Sequence, residues 1–146
     1  MTITAPRPIQ EYSELEYLLL GDLREMLEQP LNDDEDRRWL VAVLDELLET
    51  LECEFCLEED GGYMTEVLDI WPNWSGQIDR LFSEHKTLCS QLKRLRYRLA
   101  EALPLKEVAE SLRSQLRDWM ATLTAHHRHE HRLIQEAFAF DVGAGD

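Results

Sequence analysis

Along most of the chain, apolar residues recur three and four positions apart, the spacing of one face of an α-helix. Four helices follow from it. The first is predicted from about Glu11 to Gln29, with Leu15, Leu18, Leu19 and Met26 on one stripe, and Pro30 ends it because proline cannot continue the ladder. The second begins after Asn32 or Asp33, either of which can accept from the free N–H groups of a first turn rich in acids. Its stripe is Leu40, Leu44, Leu47, Leu48, Leu51 and Phe55, and Gly61-Gly62 is expected to stop it. The longest break in the chain follows, containing Trp71-Pro72-Asn73-Trp74. A third helix, from about Trp74 to Leu103, turns Ile78, Leu81, Phe82, Leu88, Leu92, Leu95 and Leu99 inward. Pro104 opens the fourth, expected to reach about Phe138 through Leu112, Leu116, Trp119, Met120, Leu123 and Ile134.

Four long helices with mostly short connections make an all-α, antiparallel up-and-down four-helix bundle, built as two hairpins. The expected domain is residues 11–140. Residues 1–10 are expected to be disordered or extended, and 141–146 to form a polar tail too Gly-rich to stay helical. Composition supports this: with only 6 Gly and 5 Pro in 146 residues, a fold of many short strands is disfavoured. The 30 acids against 15 bases give a net charge of -15, which repels phosphate backbones and anionic membranes, so no nucleic-acid or membrane partner is expected. No apolar run approaches the roughly 18 residues of a membrane span. The N-terminus lacks the apolar core of a secretory signal, and three cysteines are few and odd in number; both point to the cytoplasm.

The chemistry lies in what interrupts the stripes. Asp22 follows Leu18 and Leu19 by one turn in the first helix, and Glu54 and Glu58 continue the face of Leu51 in the second. His85 sits between Phe82 and Leu88 in the third, with Cys89 one turn on, and His126 and Glu130 follow Leu123 in the fourth. A carboxylate one residue off a stripe is usually a solvated residue, but here all four helices carry ionisable groups on the inward face. Four buried carboxylates cannot stay charged and unpaired. Two divalent cations would balance Asp22, Glu54, Glu58 and Glu130, with the neutral imidazoles of His85 and His126 completing the set. Oxygen and imidazole donors suit iron or manganese. His127 is nearly as well placed as His126, and the run from His126 to His131 is polar all round, so some of it must face water.

These residues resemble the hemerythrin-like (HHE cation-binding) family. Glu54-Phe55-Cys56-Leu57-Glu58-Glu59, followed by Gly and an aromatic, is similar to the family's second-helix motif; Glu84-His85-Lys86-Thr87-Leu88 to its third; and His126 to Gln135 to its fourth. The resemblance spans about Leu15 to Asp146. It implies a four-helix bundle with an oxo-bridged non-haem di-iron centre that binds dioxygen, senses oxygen or nitric oxide, or holds iron. Three family histidines are replaced here, by Asp22, Glu54 and Cys89. Carboxylates in place of imidazoles favour the ferric state, so a reversible oxygen carrier is not expected.

The functional expectation is a metal-binding or sensory protein with a carboxylate-rich di-iron or di-manganese site, and dioxygen or another diatomic as its ligand. The alternative is a degenerate bundle, with one metal or none, acting as a regulatory or protein-interaction module. Nothing marks a dedicated enzyme: there is no Gly-x-Ser-x-Gly turn and no Gly-rich phosphate loop. Cys53-x-x-Cys56 has no second pair with which to build a zinc site, and Cys89 reads as a small buried hydrophobe.

Overall fold

The computed structural model describes residues 7–60, 63–102 and 104–144. Over these residues the protein is all-helical and contains no strand: α1 (Arg7–Glu28), α2 (Asp34–Glu59), α3 (Tyr63–Ile70), a 3₁₀ turn (Pro72–Trp74), α4 (Ser75–Glu101) and α5 (Leu105–Ala144). The four long helices pack antiparallel, α2 between α1 and α4, and α5 against α4 and α1. Among the described residues, the α1–α5 contact is the thinnest of these. No described helix is long and apolar enough to cross a membrane.

Helix ends follow the local chemistry. Asp33 caps α2, its carboxylate accepting from the Asp36 N–H at 2.9 Å, and Asp34, Glu35 and Asp36 fill the positive first turn. The last turn of α1 carries no basic residue of its own. Arginines of α5 serve its C-terminal carbonyls instead, Arg117 donating to Leu27 O at 3.3 Å and Arg113 to Gln29 O at 2.8 Å.

Several elements depart from expectation. α1 starts at Arg7, inside the segment expected to be disordered or extended, and α5 runs on to Ala144 through the expected tail. The break between α2 and α4 contains α3, whose Met64 and Val67 are buried. The expected Gly61-Gly62 stop and the Leu103 end of the third helix fall outside the described residues, as do 1–6 and 145–146.

The interior has two apolar blocks. The larger joins α1, α2, α4 and α5 through leucines such as Leu23, Leu44, Leu92 and Leu116, and Trp119 pins α5 to α4 by donating to Leu88 O at 2.9 Å. The smaller comprises Met64, Val67, Ile78, Leu81, Leu133 and Ala137, under α3. On α4 the sequence passes from Leu81 to Leu88 through buried His85, and on α5 from Leu123 to Leu133 through buried His126 and Glu130. A polar layer therefore separates the two blocks.

Candidate metal centre

Buried polar residues from all four long helices meet in this layer: Glu16 from α1, Glu54 and Glu58 from α2, His85 from α4, His126 and Glu130 from α5, each no more than 4% exposed. Their donor atoms form two triads, His85–His126–Glu130 and Glu16–Glu54–His127, each with its atoms within 4.8 Å of one another.

In the first triad, His126 Nε2 lies 3.3 Å from Glu130 Oε2, and His85 Nε2 lies 3.9 Å from the same oxygen and 3.4 Å from Glu58 Oε2. Neither Nε2 makes a hydrogen bond. Metal–ligand distances of roughly 2.0–2.2 Å put neighbouring donor atoms about 3 Å apart and opposite ones about 4.2 Å, so these separations suit one shared ion. The far side of each ring is held by a carboxylate. His85 Nδ1 is 3.3 Å from Glu59 Oε1, and His126 Nδ1 is 2.9 Å from Glu84 Oε2. A bare Nδ1 lone pair would repel those oxygens, so Nδ1 carries the proton and donates. In the neutral ring Nε2 then presents its lone pair to the layer, the arrangement that orients metal-binding histidines. Phe55 fixes the rings further, stacking on His85 at 3.8 Å and meeting His126 edge-on at 5.8 Å.

The second triad is closed on itself. His127 Nε2 lies 2.5 Å from Glu16 Oε1, and Ser13 Oγ donates to Glu54 Oε1 at 3.2 Å. Burial raises the Glu54 carboxyl to about 9, with the adjacent Glu16 carboxyl adding to the effect. Burial likewise raises Glu16 and lowers the His127 imidazole. His126 is also depressed by burial, but Glu130 and Glu84 outweigh it and the net shift is upward. Without cations, the layer thus retains protons that exposed carboxylates would lose.

No family model, curated protein or solved structure matches the chain.

Of the residues expected at the site, Glu54, Glu58, His85, His126 and Glu130 come together. Asp22 does not. It is exposed, because α1 buries Ile9, Glu16, Leu20, Leu23 and Leu27 and leaves Leu15 at 40% and Leu18 at 62% exposure. Tyr17 to Leu20 offers four consecutive apolar residues, so several stripes fit this segment about equally well. The signal for Glu16 is its step of four to Leu20 and seven to Leu23. His126 and His127 prove not to be alternatives, since one joins each triad. Glu59 and Glu84 stand beside motif residues and were legible only as neighbours. Cys89 is half-buried in the groove between α2 and α4 with Cys56, Glu59 and Lys93, and burial raises its thiol to about 11. All three cysteines are free thiols.

The layer opens to solvent between α1 and α5, through a cleft of about 570 Å³ lined by Glu16, Glu54, Glu58, His127 and Glu130 among others. Buried histidine and glutamate groups able to bind metal inside a helical bundle are what this geometry establishes.

Proposed function

We propose that this bundle is a hemerythrin-like metal protein whose polar layer holds two non-haem iron ions, or two manganese ions, for the handling or sensing of dioxygen, peroxide, nitric oxide or iron itself. The observation that carries the reading is the pair of adjacent His/Glu triads, with the Nε2 atoms of His85 and His126 turned inward without hydrogen bonds and their Nδ1 atoms anchored on Glu59 and Glu84. The residues fit the ions in charge as well. Glu16, Glu54, Glu58 and Glu130 supply four negative charges, and two divalent cations balance them. Both donor types present, carboxylate oxygen and imidazole nitrogen, suit iron and manganese.

In this reading His85, His126 and Glu130 hold one ion, and Glu16, Glu54 and His127 hold the other. Glu58 and Glu130 line the cleft floor and also reach His85, so they stand between the two positions. When bound, such ions supply redox change and Lewis acidity toward a small oxygen-containing ligand. The chain's own contribution is to orient the imidazoles, bury the layer and replace neutral ligands by anionic ones, which stabilises the oxidised metal.

Anaerobic ferrous titration followed by exposure to air tests this. About two ferrous ions per chain should bind, and oxidation should bring near-ultraviolet absorption that degassing does not reverse. An uptake near zero overturns the proposal. The 2.5 Å contact of Glu16 with His127 favours a second reading, because it satisfies that triad without an ion. Uptake of a single ion, lost on His85→Ala but not on Glu16→Gln, would establish that mononuclear form.

A further inference from the structure

The two metal positions differ in what covers them. Neither His85 nor His126 lines the α1–α5 cleft, whereas Glu16, Glu54 and His127 form its floor. A cleft of about 570 Å³ is far larger than a diatomic ligand requires and falls within the range of small-molecule pockets. Its walls are apolar, with Ile9, Tyr17 and Leu20 from α1 and Ile134 from α5. Its rim is basic. Arg24 stands two turns beyond Glu16 on α1, and Arg128 follows His127 directly on α5; both are exposed.

That rim stands out in a chain whose acids outnumber its bases 30 to 15. The guanidinium groups of Arg37, Arg96 and Arg113 all take carboxylates, of Asp34, Asp45 and Glu110. Arg24 and Arg128, like Arg38, Arg80, Arg94 and Arg132, pair with no carboxylate among the described residues, but these two alone line the cleft. Two divalent ions would cancel the four carboxylates of the floor, leaving the cleft with the positive charge of its rim. Apolar walls under a pair of arginines match a molecule with an apolar body and one anionic end.

We infer that the α1–α5 cleft binds an organic carboxylate, its acid group held by Arg24 and Arg128 and its apolar body packed on Ile9, Tyr17, Leu20 and Ile134 above the Glu16–Glu54–His127 position. The inference rests on the metal reading, since only bound cations would give the acidic floor the charge balance that lets an anion settle above it. Acid and metal therefore help each other bind, by the same factor in each direction.

Calorimetry on the manganese-loaded protein tests it, with hexanoate as the probe. Acetate, which lacks the body, and hexan-1-ol, which lacks the charge, should each bind at least about tenfold more weakly than hexanoate. Arg24→Gln and Arg128→Gln should each weaken hexanoate binding about tenfold while leaving manganese uptake and the melting temperature unchanged. Hexanoate should in turn tighten manganese binding. Manganese uptake without hexanoate binding, or hexanoate binding indifferent to both substitutions, overturns this inference and leaves the metal site intact. A chain that takes up neither iron nor manganese removes both readings, and the metal titration alone reveals it.

Discussion

Glu16 and His127 meet across the α1–α5 boundary, and their contact makes α1 part of the polar layer. At the scale of single residues this gives a sharp contrast. Glu16→Gln should lower ferrous or manganous uptake from about two ions to about one, because it removes an anionic donor from one triad only. Asp22→Asn should leave uptake unchanged, since that side chain is exposed. Atomic absorption after gel filtration reads both. The carboxylates behind the imidazoles act indirectly. Glu84→Gln or Glu59→Gln should weaken metal binding about 10- to 100-fold without removing a donor, by loosening the ring that each one orients. His131→Ala should do little, as His131 is exposed and bonded to Gln135. A competition titration with a chelator of known affinity separates these outcomes.

At the scale of elements, the helices are held by their ends and by leucine packing rather than by surface ion pairs. Arg96 with Asp45 and Lys93 with Glu52 link α4 to α2, but both pairs are exposed and solvent screens them, so they add little. The Asp33 cap matters more. Asp33→Ala should cost about 1 kcal/mol by urea denaturation, because it strips the acceptor from the first turn of α2. Leu44→Ala or Leu92→Ala should cost about 2–5 kcal/mol, since both side chains are fully buried in the larger apolar block. The α1–α5 boundary is the weak seam. Among the described residues it is packed less densely than the face of α1 against α2, and Arg113 and Arg117 tie down the end of α1 there. That seam is also where the cleft opens.

For the whole molecule, the polar layer couples stability to protons and to metal. Glu16 and Glu54 are raised above ordinary carboxylates, so in the chelated protein the folded state holds protons that the unfolded state releases. Stability from these groups is complete below the unfolded value near pH 4.3 and is lost as pH rises toward about 9, where Glu54 ionises in the folded state. The raised His126 acts in the same direction, from about 6.5 upward, and the lowered His127 opposes it below about 6.5. The melting temperature of the chelated protein should therefore fall between pH 7 and pH 9. Divalent metal should raise it most at the alkaline end, because cations then take the place of the protons. Metal addition at pH 8 should release protons, which a pH indicator in weak buffer detects. A melting curve indifferent to chelator throughout this range would leave only a structural role for the layer.

Periodicity alone determined the four long helices, their antiparallel order, the leucine core and most of the polar layer. Each of these depends on contacts within a turn or on a stripe wide enough to have one reading. Glu54, Glu58, His85, His126 and Glu130 were legible because each interrupts a well-defined stripe. α1 was different. Its run from Tyr17 to Leu20 fits several faces, and only packing against α2 and α5 turned Glu16 inward and Asp22 to solvent. One residue along a helix is a rotation of about 100°, so a small ambiguity moves a carboxylate from the interior to water. Tertiary structure likewise decided that His126 and His127 face different triads, that α3 fills the break after α2, and that the opening lies between α1 and α5. These depend on distances between helices, which no spacing along one chain encodes.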